Sequence, residues 1–285
     1  MEIASEFRYR EPLIDSRSLV IAISQSGETA DTLAAMRESR ARGAKVLTVC
    51  NVRGSLATRE ADATLLTHAG PEIGVASTKA FTAQLAALFL VAVKLGVVRG
   101  TLARPRAQEL LAGLAAIPHL VERALACEAA VESVSRRLVR ARDFLYLGRG
   151  LSFPIAMEGA LKLKELSYIH AEGYAGGEMK HGPIALLEDD LPVVAIAPRD
   201  RVHDKMLSNI QEARARGAWI LGVGEEGDAE LAELSHAYLG VPACDPLLTP
   251  LLTVLPLQLL AYHIAEKRGC DVDQPRNLAK SVTVE

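Results

Sequence analysis

The apolar run Leu19-Val20-Ile21-Ala22-Ile23, followed at once by Ser24-Gln25-Ser26-Gly27-Glu28-Thr29, decides how the rest of the chain is read. Five apolar residues in succession suit a buried strand, and from Ala30 to Arg40 the apolar Leu33, Ala34 and Met36 recur at helical spacing. The hydroxyl-rich stretch between them is therefore a strand-to-helix turn. Such a turn is a place for an anion, because the first backbone N–H groups of a helix lack internal partners and lie at the positive end of its dipole. Ser24, Ser26 and Thr29 add hydroxyl donors, and Gly27 lets the backbone approach closely. Taken alone, the turn reads equally well as a simple N-cap by Ser26 or Thr29, with Glu28 as an ordinary first-turn acid. No lysine follows the glycine as in a P-loop, and the spacing is not G-x-G-x-x-G, so a small phosphorylated metabolite fits better than a nucleotide.

Strand and helix patterns alternate outward from this turn. Val46 to Val49 reads as a second strand and Thr78 to Leu95 as a long helix. A connecting stretch with a short helix at Arg106 to Leu114 leads to a helix at Leu120 to Val139. The pattern resumes with a strand at Phe144 to Leu147, a Gly148-Arg149-Gly150 turn and a helix from Pro154 to Ile169. Strands follow at Val193 to Ile196, Trp219 to Val223 and Ala237 to Val241, before a last helix from Pro250 to Lys267. This alternation predicts an α/β fold with parallel, doubly wound sheets.

The two halves read as copies. Arg40-Ala41-Arg42-Gly43-Ala44 recurs as Arg214-Ala215-Arg216-Gly217-Ala218, and Gln84-Leu85 matches Gln258-Leu259. Ala4 to Arg8 aligns with Gly176 to Lys180, which leaves the first copy without a counterpart of the strand, turn and helix at Phe144 to Ile169. The expectation is an exposed apolar sheet edge in the first copy.

Composition narrows the functional classes. The 285 residues are 49% hydrophobic and 24% charged, with a net charge of -3, which gives no electrostatic reason to bind nucleic acid or membrane. The apolar segment Ala80 to Val93 carries Thr82 and Gln84 and stops at Lys94, so it reads as a core helix short of a bilayer span. Cys50, Cys127, Cys244 and Cys270 are isolated and the seven histidines scattered, which suits a reducing cytoplasm and leaves no metal-ligand cluster. No apolar leader opens the chain.

Three further groups carry candidate chemistry. Glu158, Lys162 and Glu165 share one helix face, where an acid beside a lysine can transfer protons, although spacing alone favours a solvated stripe with an i,i+4 pair. His170 and His181 bracket a glycine-rich segment, Gly173 to Glu178, as a general acid or base or as ordinary satisfied groups. The tail from Asp271 to Ser281 contains Pro275 and Lys280 and can lay an amine over a site.

With these motifs in view, the chain resembles a known family. Ser24 to Thr29, Glu72 to Ala80, Glu172 to Pro183 and Asp271 to Glu285 together resemble the C-terminal half of the isomerising glutamine–fructose-6-phosphate aminotransferases, which belong to the wider sugar isomerase (SIS) family. The resemblance covers essentially the whole chain. It implies two flavodoxin-like SIS domains, at residues 1–97 and 141–270, joined by connecting helices at 98–140 and closed by a tail at 271–285. The first SIS domain would lack its N-terminal strand and helix, and the glutaminase half would be absent.

The resemblance also implies roles. Ser24, Gln25, Ser26 and Thr29 would hold the phosphate of fructose 6-phosphate, and Val75 and Ser77 would line the sugar. Glu165 would move a proton between C1 and C2 with help from Lys162. His181 would open the sugar ring from the partner subunit of a homodimer, and Lys280 would form an imine with the ketose carbonyl. The product would be glucosamine 6-phosphate, or glucose 6-phosphate without ammonia, with no cofactor and no metal. A sugar-phosphate sensor without turnover is the alternative from a different class, but the basic recognition helix that such regulators carry is not visible here.

Overall fold

The computed structural model describes residues 1–283, which group into two compact units. The first runs from Met1 to Ala103 and takes in the tail from Asn277 onward; the second is Arg104–Arg276.

The first unit contains α1 (Ala4–Phe7), β1 (Leu19–Ser24), α2 (Ala30–Ala41), β2 (Lys45–Cys50), α3 (Leu56–Glu60), β3 (Ala63–Leu66) and α4 (Lys79–Val98). Its strands form a parallel sheet in the order β1-β2-β3, with Leu19 opposite Lys45 and Ser24 opposite Cys50. Ala22, Leu33, Met36, Val46 and Ala57 make its core, where the inner face of α2 meets the sheet. β1 is an edge, and its Leu19 and Ile23 are 49% and 44% exposed. A cavity of about 410 Å³, lined by Phe7, β1, Thr32, Ala35 and Met36, opens along it. This is the apolar edge that the incomplete first repeat predicts.

The second unit contains α5 (Arg104–Leu125), α6 (Glu128–Leu138), β4 (Asp143–Gly148), α7 (Ser152–Ser167) and β5 (His170–Ala175). Two 3-10 turns follow at Gly176–His181 and Pro183–Leu186, then β6 (Pro192–Ile196), α8 (His203–Arg214), β7 (Trp219–Glu225), α9 (Ala229–Leu234), β8 (Ala237–Val241) and α10 (Pro250–Lys267). All strands are parallel in the order β5-β4-β6-β7-β8. Every residue of β6 is buried, as expected for a central strand covered on both faces. The order β6-β7-β8 repeats β1-β2-β3, and β4 adds the neighbour that β1 lacks.

Several expectations need correction. The short helix at Arg106 to Leu114 and the helix at Leu120 to Val139 are instead α5, which runs straight through Pro118, and the separate α6. Ala107, Leu110, Ile117 and Ala124 keep a continuous buried stripe through the proline. Pro118 itself is exposed, so water can serve the carbonyl that loses its partner.

The glycine-rich segment after His170 begins as a strand, β5, rather than a loop. A Cβ on Gly173 would lie 2.6 Å from the Met157 Cα, so only glycine admits this close approach of α7.

Helix α4, read from the sequence as a core helix, is largely exposed. It has 20 residues, and an 18-residue window within it has a mean hydropathy of 2.0, with 11% of that window buried. By length and composition alone it reaches what a bilayer span requires, because the helix continues past Lys94 to Val98.

Candidate functional site

In the first unit the Ser24–Thr29 turn is tied together by its own hydroxyls. The Gly27 N–H donates to Ser24 Oγ at 3.0 Å and the Glu28 N–H donates to Ser26 Oγ at 3.2 Å. Gly27 has a φ of +69°, and a Cβ there would fall 2.1 Å from Ser55 Oγ and 2.8 Å from Cys50 Sγ, so the turn closes only around a glycine. Thr29 is the residue before α2 but makes no side-chain cap bond. Glu28 is no ordinary first-turn acid, since its Oε1 accepts the Leu56 N–H at 2.8 Å and caps α3. The backbone N–H groups of Ser26 and Thr29 have no acceptor among the described residues, which leaves donors for an anion.

Two further segments of the same unit meet there. In the loop before α4, Glu72 Oε2 accepts the Thr78 and Ala80 N–H groups at 3.2 and 2.7 Å, fixing the segment that carries the half-buried Val75 and Ser77. The tail is held by Lys280 Nζ, which donates to the Gly74 carbonyl at 2.5 Å. It is held again by Ser281 Oγ, 2.8 Å from Ser26 Oγ, and by the Val282 carbonyl, which accepts the Ala30 N–H at 3.1 Å. The tail thus brings an amine into the unit that carries the serine turn.

In the second unit, α7 is covered by α10 on one side and by β4 and β5 on the other. Lys162 is buried in consequence, and the expectation of a solvated stripe fails. Its Nζ lies 2.5 Å from Glu165 Oε2 and 3.6 Å from Glu158 Oε1. Burial pushes the Glu158 carboxyl up to about 7; the Lys162 charge works against that rise and the Glu165 charge adds to it. Lys162 is therefore a shared cation between two carboxylates, an arrangement suited to holding and moving one proton.

His181 ends the first 3-10 turn and is exposed. Among the described residues, no hydrogen bond or ion pair joins it to the Lys162–Glu165 pair. His170, by contrast, pairs at the surface with Asp143, 2.8 Å from its carboxylate. All four cysteines are free, and among the described residues no group of three or more His, Cys, Asp or Glu side chains is placed to hold a metal ion.

Sequence reasoning passed over Ser281, which contacts Ser26, and Glu72, which fixes the Val75–Ser77 loop. A serine directly after the tail lysine was the available signal for Ser281.

Comparison with known proteins places the chain in a family. The SIS domain family model matches residues 1–94 and 137–266. Over 284 residues the chain is 56% identical to the glutamine–fructose-6-phosphate aminotransferase (isomerising) of Thermus thermophilus, covering 100% of this chain and 47% of that protein. The corresponding enzyme of Thermococcus kodakarensis is 58% identical over 286 residues, with the same coverage. The chain thus spans about half the length of these curated relatives. The solved C-terminal domain of the glucosamine–fructose-6-phosphate aminotransferase from Francisella tularensis superposes with a TM-score of 0.93 at 44% identity, covering 96% of this chain and 78% of that one. The chain belongs to the SIS domain family, among the C-terminal halves of the isomerising glutamine–fructose-6-phosphate aminotransferases.

Proposed function

We propose that the chain is a ketose–aldose isomerase and amino-sugar-forming domain acting on fructose 6-phosphate, with glucosamine 6-phosphate as product when ammonia is supplied and glucose 6-phosphate when it is not. The observation that carries the reading is the docked tail, which sets the Lys280 amine on the Gly74 carbonyl while its neighbour Ser281 bonds to Ser26 of the turn.

In this reading Ser24, Gln25, Ser26 and Thr29 take the phosphate, and Val75 and Ser77 line the sugar. The Lys280 amine adds to the C2 carbonyl of the open-chain ketose and water leaves, giving a protonated imine that acidifies the C1 proton. When ammonia is present it displaces the lysine amine from this imine first, and Glu165 then removes the C1 proton and returns it at C2, leaving the nitrogen on C2 and an aldehyde at C1, with the Lys162 ammonium balancing the charge. Without ammonia Glu165 makes the same transfer on the free ketose through an enediol, so the C2 oxygen is kept and glucose 6-phosphate forms. His181 opens the sugar ring from a second copy of the chain in a homodimer, a role that its exposed position allows. Four free cysteines fit action in a reducing cytoplasm.

A second reading, in which the folded chain binds the sugar phosphate without turnover, is favoured by the serine turn alone, whose Ser26 and Thr29 N–H groups have no acceptor among the described residues. Borohydride reduction in the presence of fructose 6-phosphate separates the two. Peptide mass mapping should find the reduced sugar adduct on Lys280, and none in Lys280→Arg. A chain that binds fructose 6-phosphate but yields no adduct is the binding module.

A further inference from the structure

The tail is fastened at the lysine and at the two residues that follow it, by different means. Lys280 rests on the Gly74 carbonyl, while Ser281 and Val282 are bonded to the turn and to the first residue of α2. The Ser26 hydroxyl is common to the turn and the tail, and its valences are limited: one proton to donate and two lone pairs to accept. One lone pair takes the Glu28 N–H at 3.2 Å, and the second contact is Ser281 Oγ at 2.8 Å. With the turn empty, either serine can donate to the other.

A phosphate oxygen in the turn removes that choice. An ionised phosphate oxygen has no proton to give, so Ser26 donates to it. The remaining Ser26 lone pair is then open only to a donor, and Ser281 is the donor in place. The result is a directed chain from Ser281 O–H to Ser26 O–H to phosphate, in which each bond polarises the next and strengthens it.

We propose that Ser281 is a positioning residue that couples phosphate occupancy of the Ser24–Thr29 turn to the seating of Lys280. The inference rests on the reading of that turn as a phosphate site. Its consequence is that a phosphorylated ketose orders the amine that attacks it, whereas an unphosphorylated sugar does not.

Hydrogen exchange read by mass spectrometry, with inorganic phosphate as the probe, tests the coupling on the whole chain. In the wild type, saturating phosphate should slow exchange of the amides of residues 278–283 by roughly fivefold to tenfold, the scale of one hydrogen bond. Ser281→Ala should still bind phosphate, seen as slowed exchange at residues 26–30, but lose the slowing in the tail. Ser281→Thr should restore it, a rescue that a merely structural role for the side chain does not explain. Equal tail protection by phosphate in Ser281→Ala and wild type overturns the coupling while leaving the phosphate turn intact. No effect of phosphate on residues 26–30 in the wild type overturns both the coupling and the phosphate reading beneath it.

Discussion

The Lys162 ammonium lies 2.5 Å from the Glu165 carboxylate, and the lysine side chain is 4% exposed while that of the glutamate is 22% exposed. A buried cation beside a carboxylate that still reaches solvent is an arrangement for chemistry more than for stability, since desolvating such a pair offsets much of its attraction. The pair places a cation within hydrogen-bond distance of the carboxylate that would carry the proton.

Replacing Lys162 by Met therefore leaves two neighbouring carboxylates with no cation between them. Isomerisation at pH 7 should fall by roughly 10²- to 10⁴-fold, the usual worth of a general acid–base pair. Lys162→Arg should recover part of the rate by returning a cation beside Glu165. A Lys162→Met rate equal to that of the wild type would remove Lys162 from the proton chemistry.

Glu158 makes stability depend on pH. Burial raises its carboxyl from an ordinary 4.5 to about 7, against the charge of Lys162 and with that of Glu165. The folded chain thus binds this proton more tightly than the unfolded chain does. The contribution is fully present below about 4.5 and is lost as pH rises towards about 7. Glu158→Gln abolishes the titration, so the melting midpoint of the variant should gain on the wild type between pH 5 and pH 8. A constant difference across that range would show that Glu158 titrates alike in both states.

Gly27→Ala tests the closure of the serine turn. The backbone there has a φ of +69°, and the added methyl meets Ser55 Oγ at 2.1 Å. Left-handed strain and overpacking together should cost roughly 2–4 kcal/mol in urea unfolding. A loss below the size of the strain alone would mean that Ser55 and Cys50 move aside freely.

Much of this was legible because the two repeats speak for each other. Ranges for β8 and α10 match their sequence patterns residue for residue, and the repeat shows again in the matching orders β1-β2-β3 and β6-β7-β8. What was hidden depended on tertiary contact. Gly173 carries a weak strand signal, and β5 forms because β4 offers it a parallel edge and α7 leaves no room for a side chain. Pro118 reads as a break but sits where α5 tolerates one. Lys162 looks like a surface lysine until α10 and the sheet close over α7. The bond from Ser281 to Ser26 spans 255 residues of sequence, beyond the reach of any local pattern.

The most direct measurement is the time course of glucose 6-phosphate formed from fructose 6-phosphate alone, without ammonia, by the purified chain and by Glu165→Gln. The account predicts steady conversion by the wild type and a rate lower by roughly 10²-fold or more in the variant, as expected when the general base is lost. Conversion by both chains at the same rate, or by neither when both are folded and bind the sugar phosphate, would contradict it.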